Sequence, residues 1–507
     1  MIYNRSNAKE KWTIMMYMRD FDLMATYAYA LRSSNELSNE NIDDILMQME
    51  NDGIYRPRNG GSTFTGQFKS IQIAWYMFGH YNKSRKHDES KKMVFSPLGN
   101  LLLDNLKDKE KVTKIFLTML FGNSFRQPFS QMDERFNIYA YRLIFKLLRD
   151  SRLEGKLYND EVFYYAMFTK TIDETLYEEL IDDILDFRKL TPYEKLVLFK
   201  KNERVIGLAC HEWRYATGIL ESANIVSVYN DQNNRIIGQL TYGNINKTTG
   251  KPNAIRNYAE DYIEFNPSVV EYVDKLLSCY SYFDKPYPED EITKKFNSAV
   301  VVEMYSFYPP ELFDELGMNT EADKAITKML NIASDVNYYS REETSTGEKF
   351  EYALTDAFNL FIDVEAERLG GAGNVDIECV YIPETAPAKK FDIEAKSTTR
   401  KLIEINSRRL KTHRIKIASH YTMIVTPNYA IGVLRDIEND DSVIIKSATL
   451  ANYLYQYILK SGRNISYDFL DKMIVNNIGS DITEKVNEYV YDNFGHGAND
   501  INITKKV

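Results

Sequence analysis

Two short stretches of period-two alternation constrain this chain more than any other feature. In Lys390-Phe391-Asp392-Ile393-Glu394-Ala395-Lys396, Phe391, Ile393 and Ala395 fall on one face of a strand, and Asp392, Glu394 and Lys396 fall together on the other. Upstream, the run from Asn374 to Tyr381 puts Val375, Ile377 and Cys379 on one side and Asp376 and Glu378 on the opposite side. A Pro-containing turn from Ile382 to Pro387 joins the two stretches. If the strands pair, one face gathers Asp376, Glu394 and Lys396. Such side chains are rarely buried unless paired; a charged face that is simply solvated is the plain alternative.

Two converging carboxylates are a hard-oxygen site suited to Mg2+, and a neighbouring lysine can orient or help activate a water. That is the equipment of metal-assisted phosphodiester hydrolysis. An acid-x-Lys triplet alone carries little weight, since Glu89-Ser90-Lys91 and Glu154-Gly155-Lys156 occur outside any strand pattern. Context singles out the third instance. Helical spacing runs from Glu348 to Leu369 and stops at Gly370-Gly371, a natural helix C-cap. After Lys396 a basic helix is expected from Ser397 to Ser419, then strands over Tyr421 to Pro427 and Val443 to Ser447, then an apolar helix from Ala448 to Leu459. The expected result is a mixed sheet flanked by helices.

The chain has 507 residues, enough for about three domains. Its net charge of −10 excludes a uniformly basic nucleic-acid coat protein, but phosphate attraction depends on local clusters. One such cluster lies between Lys389 and Lys416, where ten Lys and Arg stand against Asp392, Glu394 and Glu404. No apolar run approaches the ~20 residues of a membrane helix. Cys210, Cys279 and Cys379 lie far apart, which argues against a disulfide framework or a cysteine-ligated zinc and fits the reducing cytoplasm of a prokaryote. The six histidines have no metal-ligand spacing and read as structural or surface residues, and no Walker-type loop suggests ATP-driven motion.

The organisation expected is a first DNA-recognition domain over 1–150, a second over 151–285, a linker over 286–340 and a catalytic domain over 341–507. The first reads as helices interrupted by the loop from Tyr55 to Ser62, where Arg56, Arg58 and Asn59 stand beside Gly60-Gly61 and backbone N–H groups can approach a phosphate. Ser96-Pro97 reads as the capped start of a helix. In the loop from Gly122 to Phe129, Arg126 and Gln127 have the chemistry to read base edges. In the second domain, helices run to Ser222. The runs Ile225 to Tyr229 and Ile236 to Thr241, separated by a polar turn, are then expected to form a hairpin, the layout of a winged helix. The linker carries a helix-like stretch from Glu321 to Ala333.

Val375-Asp376-Ile377 followed by Ile393-Glu394-Ala395-Lys396 resembles the PD-(D/E)XK nuclease core found in many restriction endonucleases. The whole layout resembles type IIS restriction endonucleases of the AlwI type and their nicking relatives. The resemblance implies a multidomain α/β protein with helical, winged-helix-like recognition domains, a helical linker and a C-terminal nuclease. It implies double-stranded DNA as partner and Mg2+ as cofactor, held by Asp376, Glu394 and the backbone carbonyl of Ala395, with Lys396 positioning the attacking water. A further acid often precedes the Asp strand; Glu351 is the choice, with Glu365 and Glu367 as rivals. The family's Pro before the Asp is replaced by Val375. One such site cuts one strand, so double-strand cleavage needs a second catalytic unit from a transient homodimer or a separate subunit. The alternatives are a strand-specific nicking subunit, a structure-specific repair or recombination nuclease, and a non-catalytic DNA-binding regulator.

Overall fold

The computed structural model describes residues 3–33, 39–54, 63–81, 93–127, 129, 132–133, 135–230, 235–243, 254–287, 304–305, 307–317, 321–342, 347–371, 373–462 and 464–494. The chain divides into two compact units, one of residues 1–287 with 291–294, the other of 288–290 with 295–507. None of its described helices is long and apolar enough to cross a membrane.

The N-terminal unit is mainly helical, and it merges the two domains expected over 1–150 and 151–285. Contacts across that expected boundary are buried and specific. Lys11 Nζ donates to Glu212 Oε2 at 2.6 Å, and the Trp12 N–H donates to the Met167 carbonyl at 2.7 Å. Breaking that charge pair within a region that excludes water would cost several kcal/mol. The expected hairpin does not form. Val226–Asn230 pairs with Asp261–Phe265, which also pairs with Leu157–Tyr158, whereas Gly238–Thr241 pairs with Ile255–Tyr258. Val228 lies opposite Ile263 and Val226 opposite Phe265, so the first run finds its apolar partners in a strand further downstream. The helix start at Ser96 is as the sequence implies: Ser96 Oγ accepts the Gly99 N–H at 2.9 Å, and Pro97 is the first helical residue. Gly99 is required there, because a Cβ would overlap the Phe78 carbonyl oxygen.

In the C-terminal unit a short helix at Glu311–Glu315 precedes α1 (Glu321–Tyr339), α2 (Glu348–Phe358), β1 (Val364–Arg368), β2 (Ile377–Tyr381), β3 (Lys389–Ala395), α3 (Ser407–Ile417), β4 (Thr422–Thr426), α4 (Gly432–Ile437), β5 (Ser442–Lys446), α5 (Ser447–Ser461), α6 (Asp468–Val475) and α7 (Thr483–Phe494). The strands form one mixed sheet in the order β5-β4-β3-β2-β1. The pairs β1/β2 and β2/β3 are antiparallel, while β3/β4 and β4/β5 are parallel. Helix α1, expected in a linker, packs on α2 and α5 and belongs to this unit. One apolar cluster joins Leu410 of α3, Ile424 of β4, Val433 and Ile437 of α4 and Ile444 of β5. Elsewhere Phe391 of β3 stacks on Tyr467 at 4.7 Å.

Two expected helices are shorter than their patterns suggest. The helix over Glu348 to Leu369 stops at Phe358, because Asn359 takes over the backbone pairing. Its side chain donates to the Ala366 carbonyl at 3.0 Å and accepts the Ala366 N–H at 2.9 Å, which turns the chain back into β1. Gly370-Gly371 therefore serves the β1–β2 turn and does not cap a helix. The basic helix starts at Ser407, where the Asn406 side chain caps the Arg409 N–H at 3.1 Å. Before it, Leu402 is held in a β-bridge to Tyr429.

Candidate active site

The pairing of β2 with β3 sets Ile377 opposite Ile393, so the next residues along, Asp376 and Glu394, emerge together. The carboxylate of Asp376 is tied down by the Ala395 N–H, which donates to Oδ2 at 2.8 Å. Lys396 lies just beyond the strand, with Nζ 2.5 Å from Glu394 Oε1 and 3.8 Å from Asp376 Oδ2. Arg409 reaches in from α3 and pairs with the same Glu394 oxygen.

This face is not solvated. Glu394 and Asp392 are each 1% exposed, since β3 is the central strand and α3 packs against it. Burial, followed by the negative charge of Glu394, pushes the Asp376 carboxyl from 3.8 up to about 6; Lys396 and the Ala395 N–H work in the opposite direction. Burial also lifts Asp392 to about 6, against the pull of the Ser419 and Thr422 hydroxyls and Arg414. Glu351 on α2 acts on Asp376 through its charge, but its own carboxylate is engaged by Arg368 Nε at 2.7 Å. Glu365 and Glu367 are exposed on β1 and lie on a strand, not on the helix expected for them.

Among the described residues no three His, Cys, Asp or Glu side chains cluster as a ready metal cage. The donor chemistry still fits a small divalent cation. Asp376 and Glu394 converge in a desolvated pocket where their mutual repulsion needs positive charge, and Mg2+ commonly takes one or two carboxylates and keeps several waters.

Over 495 aligned residues, spanning 96% of this chain and 99% of the relative, the sequence is 38% identical to the type II restriction enzyme HgaI of Avibacterium volantium. The chain belongs to the HgaI family of type II restriction endonucleases. The model of the HgaI N-terminal domain matches residues 7–280, a range that falls within the first compact unit. Two solved structures of restriction endonuclease FokI, the second bound to DNA, align at 9% identity with TM-scores of 0.28 and 0.26. They cover 93% and 84% of this chain, and 100% and 83% of their own. Similarity that low carries no weight for the fold. The expected restriction endonuclease is met at the level of the HgaI family.

In this HgaI-family chain the candidate base readers fare differently. Arg126 and Gln127 are buried, 4% and 0% exposed. Gln127 donates to the Trp75 carbonyl at 3.4 Å and bonds the Asn123 side chain, and the Arg126 guanidinium lies 5.9 Å from the Tyr287 ring centre. Both pack the interior of the first unit and are not the exposed loop side chains expected of base readers. Arg56, Arg58 and Asn59 lie outside the described residues. From sequence, Arg409 receives no individual role, and His413, one turn further on, reads as structural or surface. His413 is buried, and desolvation together with Arg409 holds its pKa below the ordinary imidazole value, with Glu394 opposing. Their spacing of four on a basic helix that follows Glu-x-Lys was the available signal.

Proposed function

We propose that this HgaI-family chain is a Mg2+-dependent type IIS endonuclease. It recognises an asymmetric sequence in double-stranded DNA with its N-terminal unit and cleaves at a fixed offset with a C-terminal PD-(D/E)XK site. The observation that carries the reading is the convergence of Asp376, Glu394 and Lys396, with the Lys396 ammonium 2.5 Å from Glu394 and 3.8 Å from Asp376. AlwI-type enzymes exemplify the arrangement.

Asp376 and Glu394, with the Ala395 carbonyl, would hold the cation, and Glu351 stands by as a further acid. When bound, the cation supplies charge for the phosphate oxygens and lowers the pKa of a coordinated water. The residues of the chain do the rest. The Ala395 N–H fixes the Asp376 carboxylate in one orientation. Lys396 donates a hydrogen bond to the water that attacks phosphorus as a P–O bond of the backbone breaks, and it offsets the negative charge that builds there. Burial of Glu394 removes competing water and strengthens these interactions. One site hydrolyses one strand, so cutting both requires a second catalytic unit, from a transient homodimer or a separate subunit.

The test is digestion of plasmid DNA with Mg2+ followed by sequencing of the cut ends. Breaks at a constant distance from one asymmetric sequence are expected, with one strand cut if the chain is a nicking subunit. Asp376→Ala, Glu394→Ala and Lys396→Ala should each abolish cleavage while retaining specific binding. Normal cutting by all three variants would remove the site. Preference for branched substrates would point to a repair or recombination nuclease, and specific binding with no Mg2+-dependent product to a regulator.

A further inference from the structure

We infer that Arg409 binds a DNA backbone phosphate at the cleavage site, and that in the DNA-free enzyme its guanidinium is lodged on Glu394, so that arrival of the phosphate frees this carboxylate for the cation. The inference rests on the reading of Asp376, Glu394 and Lys396 as the catalytic site.

The geometry points this way because one carboxylate oxygen is claimed twice. Glu394 Oε1 meets both Lys396 Nζ, at 2.5 Å, and the Arg409 guanidinium. The Glu394 side chain is almost wholly buried, whereas that of Arg409 is 49% exposed. Arg409 therefore stands with one end of its fork in the site and the other toward solvent. Its backbone is anchored in the first turn of α3 by the Asn406 cap, which fixes the base of a side chain whose tip can exchange partners. Arg408 and Lys411, exposed on the same helix, add positive potential that draws a polyanion to this face.

Charge balance then sets the order of events. Asp376 and Glu394 are balanced by Lys396 and Arg409, so the DNA-free site is neutral. A divalent cation entering beside both would leave two uncompensated positive charges in a desolvated place, and it would contest Oε1 directly. The guanidinium fork matches two phosphate oxygens better than the single carboxylate oxygen it holds here. A phosphate that draws Arg409 away lowers the net charge and removes one of the two cations held on Oε1. DNA and cation must then favour each other's binding, since such coupling is reciprocal. An Arg409 that only braced Glu394 would do the opposite: its loss would loosen the carboxylate and weaken cation binding.

The experiment uses the full chain and measures Mn2+ binding without DNA from the resonance signal of free Mn2+. It also measures the single-turnover cleavage rate of a plasmid at saturating Mg2+. For Arg409→Ala, DNA-free Mn2+ affinity should rise about tenfold, while the cleavage rate should fall about a hundredfold. Arg409→Lys keeps the charge without the fork; it should return Mn2+ affinity to the wild-type value and leave cleavage impaired. Unchanged or weaker Mn2+ binding in Arg409→Ala, or an undiminished cleavage rate, would overturn the inference. Glu394→Gln separates this failure from a failure of the site: if it still binds Mn2+ as the wild type does, the catalytic reading itself is wrong.

Discussion

Replacing Asp376 by asparagine should make the metal-free protein more stable and catalytically dead. The amide would keep an oxygen for the Ala395 N–H, which now donates to the carboxylate at 2.8 Å, and would lose only the charge. That charge is unfavourable in the folded protein: burial and Glu394 raise the carboxyl from 3.8 to about 6. A rise of that size corresponds to on the order of 3 kcal/mol between the two protonation states. The sign follows from linkage. A carboxyl whose folded pKa is raised contributes its stability below about pH 4, and that contribution is lost as pH rises through 6, so at pH 7 the cost is fully in force. For a unit of roughly 200 residues each kcal/mol moves the melting temperature by about 2–4 °C. Scanning calorimetry in EDTA at pH 7 should therefore place the C-terminal transition of Asp376→Asn about 6–12 °C above that of the wild type. The gap should close as the pH is lowered toward 4, and Mg2+ should narrow it by stabilising only the wild type. A variant that melts at or below the wild type at pH 7, or a gap indifferent to pH, would refute the account of this pocket as a desolvated pair of acids held for a cation.

Other outcomes are accessible with the same material. Lys396→Ala should reduce single-turnover cleavage by about a hundredfold or more while shifting the gel-measured DNA affinity little, since the half-buried lysine is engaged with Glu394 and Asp376. Gln127→Ala should lower the stability of the N-terminal unit by about 1–3 kcal/mol, through the partners it leaves at Trp75 and Asn123. The folded variant should bind DNA with wild-type affinity; a selective loss of specific binding would restore Gln127 as a reader. Gly99→Ala should destabilise the same unit by more than about 1 kcal/mol in thermal unfolding, because its Cβ overlaps the Phe78 carbonyl and backbone must move.

The strands of the candidate site were legible because period two leaves no choice of face: once Phe391 and Ile393 are placed in a core, Glu394 and Lys396 must share the other side. What the alternation does not encode is depth. A charged face on an edge strand is wet, and the same residues on a central strand are dry. The central place of β3 between β2 and β4, together with α3 packed against it, buries Asp392 and Glu394. Partners that lie outside each local pattern account for the other departures. Helical spacing through Glu365 and Glu367 yielded to the Asn359–Ala366 hydrogen bonds. The expected hairpin yielded to a strand at Asp261–Phe265 that offers Val226 and Val228 apolar neighbours. Arg126 and Gln127 have side chains suited to base edges, but the same donors serve equally well to satisfy carbonyls in an interior, and their surroundings decide which.

The buried acids also explain why the basic helix follows them so closely. With Asp392, Glu394 and Asp376 gathered in one region, the unit would carry three neighbouring desolvated carboxylates if nothing opposed them. Folding is tolerable because the Ser419 and Thr422 hydroxyls and the charge of Arg414, itself ion-paired with Asp440 and hydrogen-bonded to Thr422 and Ser442, all favour the Asp392 carboxylate, while Lys396 and Arg409 meet Glu394. The two sets of cations differ in accessibility. Arg414 is locked inside with fixed partners and is structural, whereas Arg409 is half in solvent and can be given up to an incoming anion. The concentration of ten basic residues between Lys389 and Lys416 in a chain of net charge −10 thus serves two needs at once. It sets positive charge against the buried acids, and under the proposed function it leaves exposed cations where a nucleic-acid backbone would lie. A charge-reversed helix surface, with Arg408 and Lys411 both changed to glutamate, should weaken DNA binding in a gel-shift titration and leave DNA-free Mn2+ affinity at the wild-type value, because neither residue is paired with Glu394. If that pair were instead found to control Mn2+ affinity as Arg409 does, the division between structural, exchangeable and steering cations would fail.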